Sequence, residues 1–188
     1  MTTLTALLAV TPLPARAQED DARERRERFQ LFTNCARVVP EVDIQLDEDP
    51  DIEGLTEERL RRAINSRLRA ARLYESPDAA LRRTTDWTVL ETYVQIVGRA
   101  FHVNIQHRKV LRDPPTSHLG IATTWERNTL GMHGGDGEYV VGVVARHLDE
   151  FLDDYLRVNE SACAEITDGA GFPELSFERV RPGDGPSS

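Results

Sequence analysis

Five histidines, two cysteines and a glycine-rich loop are the residues whose types could do chemistry in this 188-residue chain. His102 and His118 fall on the polar side of neighbouring strand patterns. With an acid such as Glu91, they could in principle supply a zinc site, since imidazole and carboxylate are the usual nitrogen and oxygen ligands of that metal. No His-Glu-x-x-His and no Cys-x-x-Cys spacing accompanies them, so no strong metal motif is present. His107 switches to the opposite parity near a strand end, and His147 sits at the edge of an apolar helical stripe, where a hydrogen-bonded core histidine is expected. His133 lies in Gly131-Met132-His133-Gly134-Gly135-Asp136-Gly137. A glycine-rich loop feeding a helix can cradle an anion, but Asp136 and Glu138 already occupy that positive end. The Gly-Lys-Ser/Thr of a phosphate loop is missing, so a flexible turn is the favoured reading. Ser66 and Ser161 lack a nucleophile-elbow context. No cofactor motif is found, and the sequence leans against an enzyme.

Cys35 and Cys163 are the only cysteines. In an oxidising compartment an isolated pair suggests one disulfide, and in a reducing one, two unrelated buried thiols. Residues 1–17 favour the first alternative. They hold a short apolar core, Leu4 to Val10, and the small-x-small site Ala15-Arg16-Ala17, the pattern of a secretory signal peptide, although a basic segment ahead of the core is missing. The other reading is a disordered start of a cytosolic protein. No further apolar run approaches the roughly 20 residues of a membrane span. A periplasmic or secreted chain without a transmembrane span is expected.

The net charge of −9 and pI of about 5.1 argue against nucleic acid or an anionic membrane as partner. Lys109 is the single lysine, so 22 of the 23 basic residues are arginines. Arginine is the default cation here, which discounts any one of them as a phosphate ligand.

The elements that must position these residues follow from periodicity. Residues 18–34 form a charged helix or linker, with acid-first i,i+4 pairs such as Glu19/Arg23 and Glu24/Arg28. Val42, Ile44 and Leu46 alternate with polar residues in a first strand over 38–47. Thr56 caps a helix over 57–74 with the stripe Leu60, Ile64, Leu68 and Ala71. Arg67 falls inside that stripe, where a snorkelling arginine is the favoured reading over a partly buried cation paired with an acid. Strands over 87–97 and 100–112 flank a tight Gly98-Arg99 turn. A fourth strand over 117–125 is expected to point Leu119, Ile121, Thr123 and Trp125 inward, and 128–137 reads as turn-rich. The longest pattern, 136–163, is an amphipathic helix. Val140, Val144, Phe151, Tyr155 and Val158 share one sector, and an apolar arc this wide calls for a second neighbour. The 57–74 helix is favoured as that neighbour over the charged N-terminal one.

The order strand-helix-strand-strand-strand-helix predicts an α+β two-layer sandwich. A four-stranded, mainly antiparallel sheet would carry two helices on one face. A single domain spans 35–164, and 165–188 form a flexible tail. The sheet's other face collects Tyr93, Gln95, His102, Asn104, Gln106 and Arg108, a candidate docking surface.

Ser66 through Tyr74, Thr124-Trp125-Glu126, His147 through Phe151 and Tyr155 through Asn159 carry a resemblance to a group of uncharacterised exported bacterial proteins. The arrangement is also topologically similar to small envelope domains such as the TolB N-terminal domain. The resemblance implies an exported protein and assigns no activity to any residue. The expectation is a non-catalytic periplasmic or secreted module binding another cell-envelope protein. The alternative is a small metal-dependent hydrolase using the surface histidines.

Overall fold

In a computed structural model, residues 15–47, 52–80 and 87–167 are described. The expected signal peptide at 1–17 and the tail at 165–188 fall almost wholly outside them. The chain runs α1 (Ala15–Leu31), β1 (Arg37–Gln45), α2 (Glu57–Ala70), α3 (Pro77–Ala80), β2 (Trp87–Val97), β3 (Ala100–Arg112), β4 (Leu119–Met132), α4 (Gly137–Val158) and α5 (Glu160–Thr167).

The fold is α+β. Four strands form one open mixed sheet in the order β1-β2-β3-β4. β1 and β2 are parallel, whereas β2–β3 and β3–β4 are antiparallel. A parallel step needs a crossover connection, which α2 provides. Thr56 caps α2 by accepting from Arg59 N–H at 3.2 Å, and Leu60, Ile64 and Leu68 are fully buried. The chain then returns along β1, where Val38 N–H donates to Leu73 O at 2.7 Å and Glu75 N–H donates to Val38 O at 2.9 Å.

α4 has both neighbours. α2 lies alongside it, and Arg67 Nε meets Asp149 Oδ1 at 2.9 Å. Arg67 is therefore not the snorkelling arginine favoured from the sequence but a partly buried cation paired across the helix interface. Arg59 pairs with Glu138 nearer the start of both helices, so α2 and α4 run in the same direction. α1 packs on α4 and β4. Arg157 of α4 bonds Glu27 at 2.8 Å, and Thr124 Oγ1 donates to Gln30 O at 2.6 Å. Lys109 Nζ donates to Phe29 O and Phe32 O, placing the chain's one lysine at the negative end of the α1 dipole.

Two further expectations need correction. The helix over 136–163 divides at Asn159, α4 ending at Val158. β4 is longer than 117–125 and holds Leu119, Ile121 and Thr123 on the outer face, because a bulge at Thr124 and Trp125 sets both residues against His107. Strict alternation carried across a bulge inverts every face assignment on one side of it.

The segment read as a turn is strand as far as Met132. Its inward side chains escape an apolar pattern because they answer polar or bulky neighbours. Thr129 Oγ1 bonds His147 Nε2 at 2.7 Å, Arg127 lies 3.5 Å from Glu150, and Gly131 leaves room for the Phe101 ring, which a Cβ would meet at 2.8 Å.

Candidate functional site

The outward face of the sheet is set by cross-strand register. Glu91 pairs with Gln106, Tyr93 with Asn104 and Gln95 with His102 across β2–β3. Across β3–β4, His102 pairs with Leu130 and Asn104 with Asn128. Directly paired residues share a face, so Tyr93, Gln95, His102, Asn104, Gln106 and Arg108 lie together as read from the sequence. All six are half-buried.

Their polar groups are largely engaged with one another. Tyr93 Oη donates to Gln45 Oε1 at 2.8 Å, and Asn104 Nδ2 to Glu126 Oε1 at 2.7 Å. Thr123 Oγ1 donates to Gln106 Oε1 at 3.0 Å, and Arg108 Nη1 to Glu91 Oε2 at 3.0 Å. The His102 ring meets Tyr93 edge-on at 6.2 Å. At the hairpin end this polar centre gives way to apolar surface. Val97, Leu130 and Met132 are 58%, 78% and 65% exposed and share the outward face. Single exposed apolar side chains are ordinary, whereas several on one face stand out.

The three metal candidates do not converge. Glu91 is held by Arg108. His118 lies exposed in the turn before β4, beyond the Arg112–Leu119 pair, while His102 sits near the other end of β3. At about 3.3 Å per residue, that separation is about 33 Å. Among the described residues, no group of three His, Cys, Asp or Glu side chains is placed to hold a metal.

The other histidines are structural. His133 is buried, with Nε2 2.9 Å from Gly98 O and Nδ1 accepting from Gly135 N–H at 3.0 Å. It ties the β2–β3 turn to the glycine-rich loop. That loop, read as a flexible turn, is a docking place for the chain ahead of α2. Glu53 N–H donates to Gly135 O and Gly137 N–H donates to Glu53 O, both at 3.0 Å. A Cβ on Gly137 would lie 2.3 Å from Glu53 O, so only glycine admits this approach. With Asp136 accepting from Glu138 N–H at 2.8 Å, the start of α4 is taken up by the protein itself. His147 is the hydrogen-bonded core histidine expected, held by Thr129.

His107 is fully buried among Phe151 and Tyr155, at ring distances of 5.4 and 5.8 Å, with Thr124 Oγ1 3.4 Å from Nδ1. Burial, assisted by the charge of Lys109 and opposed by a backbone contact with Gln30, lowers its pKa to about 4. Burial also depresses the Lys109 ammonium and raises the Tyr155 phenol, whose bond to Thr33 opposes the rise.

Asn159, which the helical pattern passes over, bonds to four backbone groups at once. Its Oδ1 accepts from Thr33 N–H at 3.0 Å and Cys35 N–H at 3.1 Å, and its Nδ2 donates to Leu31 O and Tyr155 O, both at 2.9 Å. Beside it Cys35 and Cys163 are disulfide-bonded, with Cα atoms 5.2 Å apart. Asn at a helix end was the one local signal for this break. Among the described residues no helix is long and apolar enough to cross a membrane. A shallow depression of about 410 Å³ follows α2 past Arg61, Arg62 and Arg69, but Glu57 and Glu58 already pair Arg61 and Arg62.

No family model and no curated protein matches the chain. Among solved structures it is similar to a PelC dodecamer from Paraburkholderia phytofirmans, at 15% identity over 64% of this chain and 92% of that one, with a TM-score of 0.35. It is also similar to an uncharacterised protein, at 11% identity over 70% and 94% of the two chains, with a TM-score of 0.31. Likenesses at this level transfer neither activity nor partner.

Proposed function

We propose that the chain is an exported bacterial protein, periplasmic or secreted, that binds another envelope component through the outward face of its sheet and carries out no catalysis. The observation that carries this reading is the exposed group Val97, Leu130 and Met132 next to the half-buried Tyr93 and His102. The opposite face is covered by helices. Support for export comes from the Cys35–Cys163 bond, which persists in oxidising compartments, and from the small-x-small site at 15–17.

The test is site-specific photocrosslinking in the native envelope, with a photoreactive residue at Val97 and, as control, at Glu58 on α2. One protein captured from position 97 and not from 58, and lost in Tyr93→Asp, is the expected result. Identical captures from both positions, or none, would remove the reading.

A further inference from the structure

β4 ends the sheet, and among the described residues its outer edge has no strand partner. It spans 14 residues without proline or lysine, two of the devices that keep free edges from pairing. Its outward side chains, taken from their β3 partners, are Leu119, Ile121 and Thr123 before the bulge, and Glu126, Asn128, Leu130 and Met132 after it.

We infer that β4 pairs antiparallel with β4 of a second copy, joining two sheets into one. The bulge is the reason. An antiparallel pairing about a two-fold axis must set outward residues opposite outward residues. In an unbroken strand, a register that sets each end residue against the other end of the partner would put opposite faces together, because 119 and 132 differ in parity. The extra residue at the Thr124–Trp125 bulge shifts that parity. Leu119 then faces the partner's Met132, Ile121 faces the partner's Leu130, and Thr123 faces the partner's Asn128, all on the outward face. The inward pairs are Gly120 with the partner's Gly131 and Ala122 with the partner's Thr129, small enough to clear one another. Residues 124–127 cross at the axis without regular pairing. Every exposed apolar side chain of β4 thereby gains an apolar partner, at positions that are 50% to 78% exposed in the single chain.

Size supports a modest association. Fourteen residues at about 3.3 Å make a strip about 46 Å long, and with a thickness of about 10 Å it covers about 900 Å² over both partners, below the roughly 1,200 Å² of stable specific interfaces and in the range of weak, transient ones. A net charge of −9 on each copy opposes approach, so screening at about 0.15 M salt or above favours it. The inference goes beyond the proposed binding role. It places the apolar end of one outward face (Val97, Met132, Leu130) beside Leu119 and Ile121 on the other copy.

Sedimentation velocity of the disulfide-intact chain between about 1 μM and 500 μM tests the inference. A concentration-dependent dimer is expected. Ile121→Glu and Leu130→Lys, at exposed positions that spare the core, should each weaken it at least about 10-fold, since a charge left opposite an apolar side chain loses the contact. The double variant sets a glutamate at position 121 of each copy opposite a lysine at position 130 of the other and should recover most of the loss. A monomer throughout the range, a dimer indifferent to both single changes, or no recovery in the double variant would each overturn the pairing. Unchanged circular dichroism, and an unchanged melting temperature at a concentration where every form is monomeric, ensure that a loss of dimer reports on the edge and not on folding.

Discussion

His102 and His107 stand on the same strand and face opposite ways. His102 is half-buried against Tyr93 among side chains that reach water. His107 is sealed between α1, α4 and β4, neutral and wedged against Phe151 and Tyr155. The same contrast holds for the amides. Asn159 engages its side-chain oxygen and nitrogen with four backbone groups, whereas Asn104 makes one bond to Glu126. On the helix-covered face the Asn159 amide is consumed in holding the ends of the domain together, while His107 Nε2 and Thr92 Oγ1 are buried without a hydrogen-bond partner among the described residues. On the outward face, Tyr93, Gln106 and Arg108 are bonded to neighbours in shallow pairs that a partner could exchange at low cost. The location of a polar residue, rather than its type, decides whether it is structural or available.

Four measurements would break or sharpen that contrast. The largest effect is expected from removing the disulfide with Cys35→Ala and Cys163→Ala. The bond joins residues 128 apart in sequence, and its loss should lower unfolding free energy by about 4–5 kcal/mol in the chain-entropy account, read from urea midpoints. Asn159→Ala comes next. It strands the buried Cys35 N–H and its neighbours and should cost about 3–4 kcal/mol, since each buried unsatisfied group costs about 1–3 kcal/mol. A loss under about 1 kcal/mol would mean that water replaces the amide.

His107 supplies a pH test. Its pKa is lowered from 6.5 to about 4 in the folded chain, so between those values the unfolded chain binds the extra proton. The resulting stability is fully present above pH 6.5 and is lost as pH falls through 4, about 3 kcal/mol in all. In His107→Leu that part of the acid slope should vanish. Equal slopes in variant and wild type would refute a neutral buried imidazole. The smallest effect belongs to the outward face. Glu91 and Arg108 are each 36% exposed at the side chain, and a double-mutant cycle on the pair should give under about 1 kcal/mol. A larger coupling would show that the outward network is held as firmly as the inner one.

The sequence patterns that proved legible are those in which one residue type repeats at one period. Leu60, Ile64 and Leu68 announced the buried stripe of α2, and the alternation from Phe101 to Gln106 announced both faces of β3. The outward residues followed from the same parity. β4 was harder to read because its inward positions Arg127, Thr129 and Gly131 are complements of Glu150, His147 and Phe101, residues distant in sequence. Tertiary partners, not local preference, make that segment a strand. His118 was placed on a strand for a related reason: its fourth-strand pattern was extended back into a turn. The break at Asn159 escaped because its cause lies at residues 31–35, on the opposite end of the domain.

The meeting of those two ends has a mechanical consequence. Chain flanking the domain enters next to Cys35 and leaves next to Cys163, at points whose Cα atoms are 5.2 Å apart and covalently joined. Once α1 has peeled from Lys109 and β4, tension applied between the flanking segments passes through the sulfur bridge and bypasses the sheet. Residues 36–162 form a closed loop outside the line of force. The domain can therefore be pulled from both sides without being unravelled, and under such a load its length is that of one crosslink.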